Sequence, residues 1–90
     1  PNYTFALSGR GETYRRLGEF DKALADLDKA VQLLPNDWYN LNTRGRVRSA
    51  KKDFPGALAD FQAAIKAGDY AITHVNMGLV YLQMGRASDA

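Results

Sequence analysis

The stretch Ala23-Leu24-Ala25-Asp26-Leu27 returns 34 positions later as Ala57-Leu58-Ala59-Asp60-Phe61, in a chain of 90 residues. The same offset separates five further pairs of identical residues: Leu7 and Leu41, Arg10 and Arg44, Gly11 and Gly45, Phe20 and Phe54, Ala30 and Ala64. A third copy follows after 33 positions and aligns Gly45 with Gly78 and Ala57 with Ala90. Self-similarity at a fixed period of this length indicates a repeat architecture.

Within each copy the apolar residues recur at steps of three and four, which is the period of one face of an α-helix. In the first copy this stripe contains Phe20, Ala23, Leu24, Leu27, Ala30 and Leu34, and in the second Phe54, Ala57, Leu58, Phe61, Ala64 and Ile65. The preceding segments, about Thr4–Leu17 and Asp37–Lys51, are also helix-length, with Tyr14, Leu17, Leu41 and Val47 expected on their inner faces. No segment alternates with period two, so the pattern predicts an all-α fold of helix-turn-helix units.

Residues that begin and end helices separate these segments. Pro35-Asn36-Asp37 should end one helix and provide an N-cap for the next. Pro55 suits a first helical turn, where its missing N–H is not needed. Gly68-Asp69 suits a left-handed C-cap. Gly11 and Ala23 are small, which should let the two helices of a hairpin approach closely.

At these positions the sequence resembles the tetratricopeptide repeat family, over essentially its whole length. Repeat one, about 4–37, matches the family pattern at Leu7, Gly11, Tyr14, Phe20, Ala23, Leu27, Ala30 and Pro35. Repeat two, about 38–70, matches at Leu41, Gly45, Phe54, Ala57, Phe61 and Ala64, and departs at Arg48 and Asp69, where Tyr and Pro are usual. A partial repeat three, about 71–90, has Gly78, Tyr81 and Ala90, with Ala87 in place of an aromatic residue.

The resemblance implies a short right-handed α-solenoid whose first helices line a concave groove for a peptide or helix of a partner protein. The groove residues that it predicts are Phe5, Ser8, Glu12 and Arg15 from repeat one, Tyr39, Asn42, Arg46 and Ser49 from repeat two, and Ile72, Val75, Leu79 and Leu82 from repeat three. Tyr39, Asn42 and Arg46 offer an aromatic surface, an amide for a peptide backbone and a fixed cation, so the ligand should carry an acidic group.

Some members of the family bind the C-terminal carboxylate of heat-shock chaperones through a clamp of Lys, Asn and Arg side chains. The matching positions hold Ser8, Glu12, Thr43, Ile72 and Asn76. Only Asn76 could donate usefully, and Glu12 would repel a carboxylate. A clamp that begins at repeat two, with Asn42 and Arg46, also fits poorly, so we do not expect a chaperone clamp.

Four charged residues depart from the family pattern together. Arg10 and Arg44 precede the small glycines, and Asp26 and Asp60 replace large residues. Because an unpaired buried charge is costly, Arg10 should pair with Asp26 and Arg44 with Asp60 across each hairpin. A pair between Asp26 and Arg44, across the repeat boundary, is the alternative.

The remaining features of the sequence do not indicate a catalytic, cofactor or metal site. His74 is the only histidine, and we expect it to pack inside a hairpin. There is no cysteine, phosphate-binding loop or metal-ligand spacing, so neither an enzyme, a cofactor nor a small-molecule substrate is predicted. Five basic residues lie within Arg44–Lys52, yet the net charge is only +2, so a nucleic-acid partner is the least favoured reading. No apolar run approaches the roughly 18 residues of a membrane span.

The last helix, expected at about Asp69–Met84, is apolar on two sides. Ile72, Val75, Leu79 and Leu82 form one stripe, and Met77, Tyr81 and Met84 form another. A helix that is apolar nearly all round is normally buried nearly all round. Its hairpin partner should begin near Ser88, and the chain, which starts at Pro1, is interpreted as an excerpt of a longer array. Self-association as a homo-oligomer through this helix is therefore an alternative to peptide binding.

Overall fold

Five α-helices account for most of the chain in a computed structural model that describes residues 2–89, with side chains described for residues 3–85. They are α1 (Asn2–Arg16), α2 (Phe20–Leu33), α3 (Trp38–Ala50), α4 (Phe54–Ala67) and α5 (Ala71–Asp89). Helix α1 packs on α2 and α3 packs on α4, while α2 contacts α3 and α4 contacts α5. The predicted all-α solenoid of helical hairpins is confirmed, and no strand occurs within residues 2–89.

None of the described helices is long and apolar enough to cross a membrane. Helix α5 extends to Asp89, so Ser88 is part of α5. The prediction that a new helix begins near Ser88 is therefore wrong. Ala90, which the repeat alignment used, lies outside the described residues.

The predicted N-cap at Asp37 and the predicted position of Pro55 are confirmed, and Asp53 provides a further N-cap. Asp37 precedes α3 and accepts a hydrogen bond from the backbone N–H of Asn40 at 3.0 Å. Asp53 caps α4 in the same way through the N–H of Gly56 at 3.1 Å, and Pro55 lies in the first turn of that helix. A carboxylate at these positions satisfies backbone donors that have no partner inside the helix.

The left-handed C-cap predicted at Gly68 is wrong, because this residue is extended, with φ −171° and ψ 120°. A side chain at Gly68 would come within 2.7 Å of the Tyr70 ring, which packs on Trp38 at 4.3 Å between centroids. Among the described residues, Gly18 and Lys52 have positive φ, and they lie 34 positions apart. Each ends the first helix of a repeat with the paired backbone hydrogen bonds of a Schellman motif.

Two core clusters join each second helix to the first helix of the next repeat. Ala23 and Leu27 on α2 pack with Val47 on α3, and Ala57 and Phe61 on α4 pack with Val80 on α5. Each cluster is extended by half-buried residues: Tyr14, Phe20 and Leu24 around the first, and Phe54, Leu58, Met77 and Met84 around the second. The inner-face prediction fails at Leu17, which is 66% exposed.

Glycines let the helices of each hairpin meet closely. A Cβ atom at Gly11 would lie 2.8 Å from Leu27 Cγ, and one at Gly45 would lie 2.5 Å from Phe61 Cε1. Both distances are far below van der Waals contact, so only glycine fits unless the neighbouring side chain moves. The small residues that define the repeat in the sequence are therefore required by packing.

The predicted ion pairs are confirmed in both hairpins. Arg10 donates two hydrogen bonds of 2.7 Å to Asp26, and Arg44 donates two to Asp60, at 2.8 and 3.0 Å. These bonds raise the pKa of both guanidinium groups further above its ordinary value. The alternative pair, Asp26 with Arg44, is not formed. Across the repeat boundary Arg44 instead donates a hydrogen bond of 3.2 Å from Nη1 to Oδ1 of Asp28 on α2.

Helix α5 is packed on one side only. Thr73 and Val80 are buried, and Met77 and Met84 lie half-buried on the α4 core. The large apolar residues on the rest of the helix are each about half exposed: Ile72, Val75, Leu79, Tyr81 and Leu82. His74 is also exposed and forms a 2.5 Å contact with Asp69. The prediction that it packs inside a hairpin is therefore wrong within residues 2–89, because no helix of that range covers this side of α5.

Candidate partner-binding surface

The first helices of the repeats lie side by side, because α1 contacts α3 and α3 contacts α5. A shallow depression of about 220 Å³ lies among them. Its lining includes Arg15 from α1, Arg46 and Ser49 from α3, and Asn76, Leu79 and Gln83 from α5. Larger depressions occur beside Leu34–Asp37 and beside Tyr3 and Arg10, but each is lined by one short segment only. The depression among the first helices gathers side chains from all three repeats.

Glu12 organises the charges beside this depression. Arg15 donates two hydrogen bonds of 2.8 Å to its two carboxylate oxygens, and Arg16 donates a third of 3.2 Å. The hydrogen bonds from Arg15, more than any other cause, lower the pKa of Glu12 to about 2, although partial burial acts in the opposite direction. The same pairing raises the pKa of Arg15. Glu12 is therefore a fixed anion that neutralises Arg15.

Arg46 is held much more loosely than Arg15. Its Nη1 lies 4.0 Å from Glu12 Oε2, which is beyond hydrogen-bond distance, and about a third of its side chain is exposed. A guanidinium carries five N–H donors in a planar fork that matches a carboxylate or phosphate. Arg46 therefore has donors for an acceptor that comes from outside the chain.

Residues 5–37 match the family model of the tetratricopeptide repeat. The first hairpin is thus similar to a tetratricopeptide repeat. The resemblance seen in the sequence is thereby confirmed over α1 and α2, and the five helices are consistent with such repeats. The family is in general a non-catalytic module that mediates interactions between proteins. No curated protein matches the chain.

The structure places most of the residues predicted from the tetratricopeptide pattern at the surface. Phe5 and Tyr39 are 66% and 41% exposed, and Ile72, Val75 and Leu79 form the exposed side of α5. Arg15, Arg46 and Leu79 meet in the depression, whereas Phe5, Tyr39, Ile72 and Val75 lie outside its lining. Glu12 contributes through its contacts with the two arginines.

Two predicted groove residues are buried between helices instead. Asn42 is 3% exposed, and its side-chain oxygen accepts a 3.0 Å hydrogen bond from Asn76. Ser8 is 1% exposed and donates to the side chain of Asn40. Both side chains join the first helices of neighbouring repeats, so Asn42 does not present its amide as the sequence predicted.

Asn76 and Gln83 line the depression but were not selected as groove residues. Asn76 is bonded to Asn42, and Gln83 accepts a weak hydrogen bond of 3.3 Å from Ser49. The sequence contained a usable signal for both residues. Asn76 and Gln83 are three and four positions from Leu79, and residues at these spacings are neighbours on a helix surface. The prediction instead placed Ile72 and Val75 in the groove, because they belong to the apolar stripe of α5.

The basic cluster of repeat two is largely neutralised by contacts within the chain. Arg44 and Arg48 share Asp60, and Lys51 reaches Asp21 at 2.5 Å. Cations engaged in this way have fewer donors left for phosphates. No group of three or more His, Cys, Asp or Glu residues within the described part of the chain is placed to hold a metal ion.

Proposed function

We propose that this chain is a protein-interaction module that holds a segment of a partner protein along its first helices. The observation that carries the proposal is the depression in which loosely held Arg46 meets exposed Leu79, with contributions from α1, α3 and α5. The second helices α2 and α4 contribute Ala23, Leu27, Ala57 and Phe61 to the buried core, whereas the depression is lined mainly by residues of the first helices. Surfaces of this kind bind extended peptides or amphipathic helices.

The chemistry of the ligand follows from the two halves of the surface. Toward repeat one lie Arg15 and Arg46, with Glu12 balancing only one positive charge. Toward repeat three, the segment Tyr70–Gly85 contains no Lys, Arg, Asp or Glu, and it exposes Val75 and Leu79. The favoured ligand is therefore a peptide or helix with an acidic side chain for Arg46 and apolar side chains for α5.

A selection from a random peptide library on the intact 90-residue chain tests this proposal. Enriched peptides should combine Asp or Glu with large apolar residues, and Arg46→Glu should weaken their binding by about tenfold or more, because it replaces attraction by repulsion. Lys66→Glu makes the same change of charge at an exposed position on α4 and should leave binding intact. Peptides that bind Arg46→Glu as well as the parent chain would contradict the assignment of the surface.

Self-association is a second candidate, favoured by the five large apolar residues that α5 exposes. Each buried large apolar side chain contributes about 1.5–3 kcal/mol, so two copies gain by covering these residues mutually. The expected product is a dimer that includes the region Ile72–Met84. Sedimentation across a wide range of concentrations tests it, and a monomer at every concentration would exclude it.

A further inference from the structure

Glu12 affects the two arginines that line the depression very differently. Arg15 donates to its carboxylate from both Nε and Nη2, at 2.8 Å each, so one bidentate side of that guanidinium is occupied. Nη1 of Arg46 lies 4.0 Å from Oε2 of Glu12, beyond hydrogen-bond distance. Arg16 also donates to Glu12, but its side chain is 74% exposed and does not line the depression. Of the two guanidinium groups in the depression, one is neutralised and the other keeps its charge and its donors.

This arrangement holds a negative charge close to the place where an acidic group would bind. An anion that accepts a hydrogen bond of about 3 Å from Nη1 of Arg46 lies within about 7 Å of Oε2 of Glu12. That separation is shorter than the Debye length of about 8 Å at physiological ionic strength, so salt does not remove the repulsion. Because Coulomb energy is proportional to charge, a phosphate dianion is repelled by Glu12 about twice as strongly as a carboxylate.

Nothing else in the depression compensates a second negative charge. Within the described part of the chain, the other lining residues are uncharged: Ser49, Ala50, Phe61, Asn76, Leu79 and Gln83. The Glu12 side chain is only 16% exposed, and its hydrogen bonds, above all those from Arg15, lower its pKa to about 2. Glu12 therefore stays ionised at neutral pH. A dianion also loses more hydration energy than a monoanion when it leaves water.

We propose that Glu12 determines the charge of the ligand's acidic group, so that the depression accepts the single charge of an Asp or Glu side chain and excludes a phosphorylated side chain. The proposal rests on the proposed function, in which Arg46 receives the acidic group of a peptide. Glu12 does not touch the ligand. It acts by occupying Arg15 and by repelling a second negative charge, and a phosphorylated residue carries about −1.5 to −2 charge at pH 7.

Two peptide libraries with blocked ends test this role. Every peptide is acetylated at its N-terminus and amidated at its C-terminus, so the anion comes from a side chain only. The central residue is glutamate in one library and phosphoserine in the other, and the flanking positions are random and uncharged. Each library is passed over the immobilised 90-residue chain and over the immobilised Glu12→Gln variant. The retained sequences are then synthesised with either central residue, and the Kd of each is measured at neutral pH.

Glu19→Gln is the matched control. It removes the same charge from a carboxylate that pairs with Lys22 and does not line the depression. A change of Kd that comes only from the net charge of the protein therefore appears in both variants. A change that comes from the position of Glu12 appears in Glu12→Gln alone. Circular dichroism of both variants confirms that the helices are retained.

The parent chain should bind the glutamate form of each peptide more tightly than the phosphoserine form. Glu12→Gln should tighten the glutamate form about threefold to tenfold, and the phosphoserine form by nearly the square of that factor, because the lost repulsion is proportional to the ligand charge. The preference should thereby reverse. Glu19→Gln should leave both Kd values and their ratio unchanged. A purely structural role of Glu12 would change the two forms by equal factors.

Equal factors for the two forms would overturn the proposal, and so would a parent chain that prefers phosphoserine. If Arg46→Glu still weakens these peptides, the proposed function stands without the role of Glu12. If none of the proteins retains either library, or if binding does not depend on Arg46, the proposed function fails and this proposal fails with it.

Discussion

Gly45 on α3 and Gly78 on α5 hold the same place in successive repeats, yet Gly45 is buried under Phe61 and Gly78 is open to solvent. Each of the two helices packs on the second helix of the preceding repeat, α3 on α2 and α5 on α4. What differs is the second helix, which α3 has in α4 and α5 lacks within the described residues. A repeat of this kind cannot bury its apolar face alone, so the same glycine is a packing residue in one repeat and accessible surface in the next.

The comparison extends to charge. Arg44 and Arg48 on α3 both donate hydrogen bonds to Asp60 on α4, the partner helix of the hairpin. The Arg44 position on α5 is Met77, which lies half-buried on the core of α4. Helix α3 is therefore fixed by ion pairs and apolar contacts on two sides, whereas α5 depends on one side, through Thr73 and Val80. Substitutions at matched positions in α3–α4 and α5 should consequently differ in cost.

The largest difference should separate Phe61→Ala from Tyr81→Ala. Phe61 is fully buried between Ala57, Val80 and Gly45, so its removal leaves a cavity and should cost about 3–5 kcal/mol in the free energy of unfolding. Tyr81 is 54% exposed, and its removal should change that free energy by less than about 0.5 kcal/mol. Urea unfolding followed by circular dichroism measures both. Equal costs would show that Tyr81 is covered in solution.

The next largest difference should appear among the aspartates. Asp60 is buried and receives both Arg44 and Arg48, so Asp60→Ala should cost about 2–3 kcal/mol by leaving two guanidinium groups without their acceptor. Asp26 receives Arg10, whose side chain is 61% exposed, and Asp26→Ala should cost about 1 kcal/mol. Asp28→Ala, at an exposed partner of Arg44, is the control and should be nearly neutral. Equal losses for Asp60 and Asp26 would contradict this order.

Local and periodic features were predictable from the sequence, for clear physical reasons. The stripe spacing predicted the helices, and the pairing of Arg10 with Asp26 followed from the cost of an unpaired buried charge. The failures lie where a residue's environment depends on elements distant in sequence. His74 has the register of a buried residue and is exposed because none of the described helices covers it, and Asn42 is buried because α5 lies beside α3.

Turn geometry was the other failure. Glycine was expected to adopt a left-handed conformation at Gly68, where the rings of Tyr70 and Trp38 instead require its small size. The left-handed position of repeat two is Lys52, which composition alone does not indicate. The lining of the depression could be predicted only in part, because it depends on contacts between helices that are distant in sequence. Its polar edge, Asn76 and Gln83, depends on how α5 is rotated against α3.

Alanine at the two matched glycines should change stability in opposite directions. Gly45→Ala forces a methyl group against the buried ring of Phe61 and should cost about 1–3 kcal/mol. Gly78→Ala meets no neighbour and should stabilise the chain by about 0.5–1 kcal/mol, because alanine loses less backbone entropy in a helix. Thermal unfolding of the two variants and the parent chain under identical conditions measures both changes in stability. Destabilisation by Gly78→Ala would mean that another molecule covers this face.

The smallest expected effect belongs to Glu12 in repeat one and depends on pH. The pKa of Glu12 is lowered from 4.5 to about 2, so its contribution to stability is complete above about pH 5 and is lost as the pH falls toward 2. Glu12→Gln should therefore cost about 1 kcal/mol at neutral pH and much less near pH 2. Urea unfolding of both proteins from pH 6 to pH 2 isolates this residue, since all other carboxylates titrate in both. A constant difference across this range would show that the Arg15 pair does not form in solution.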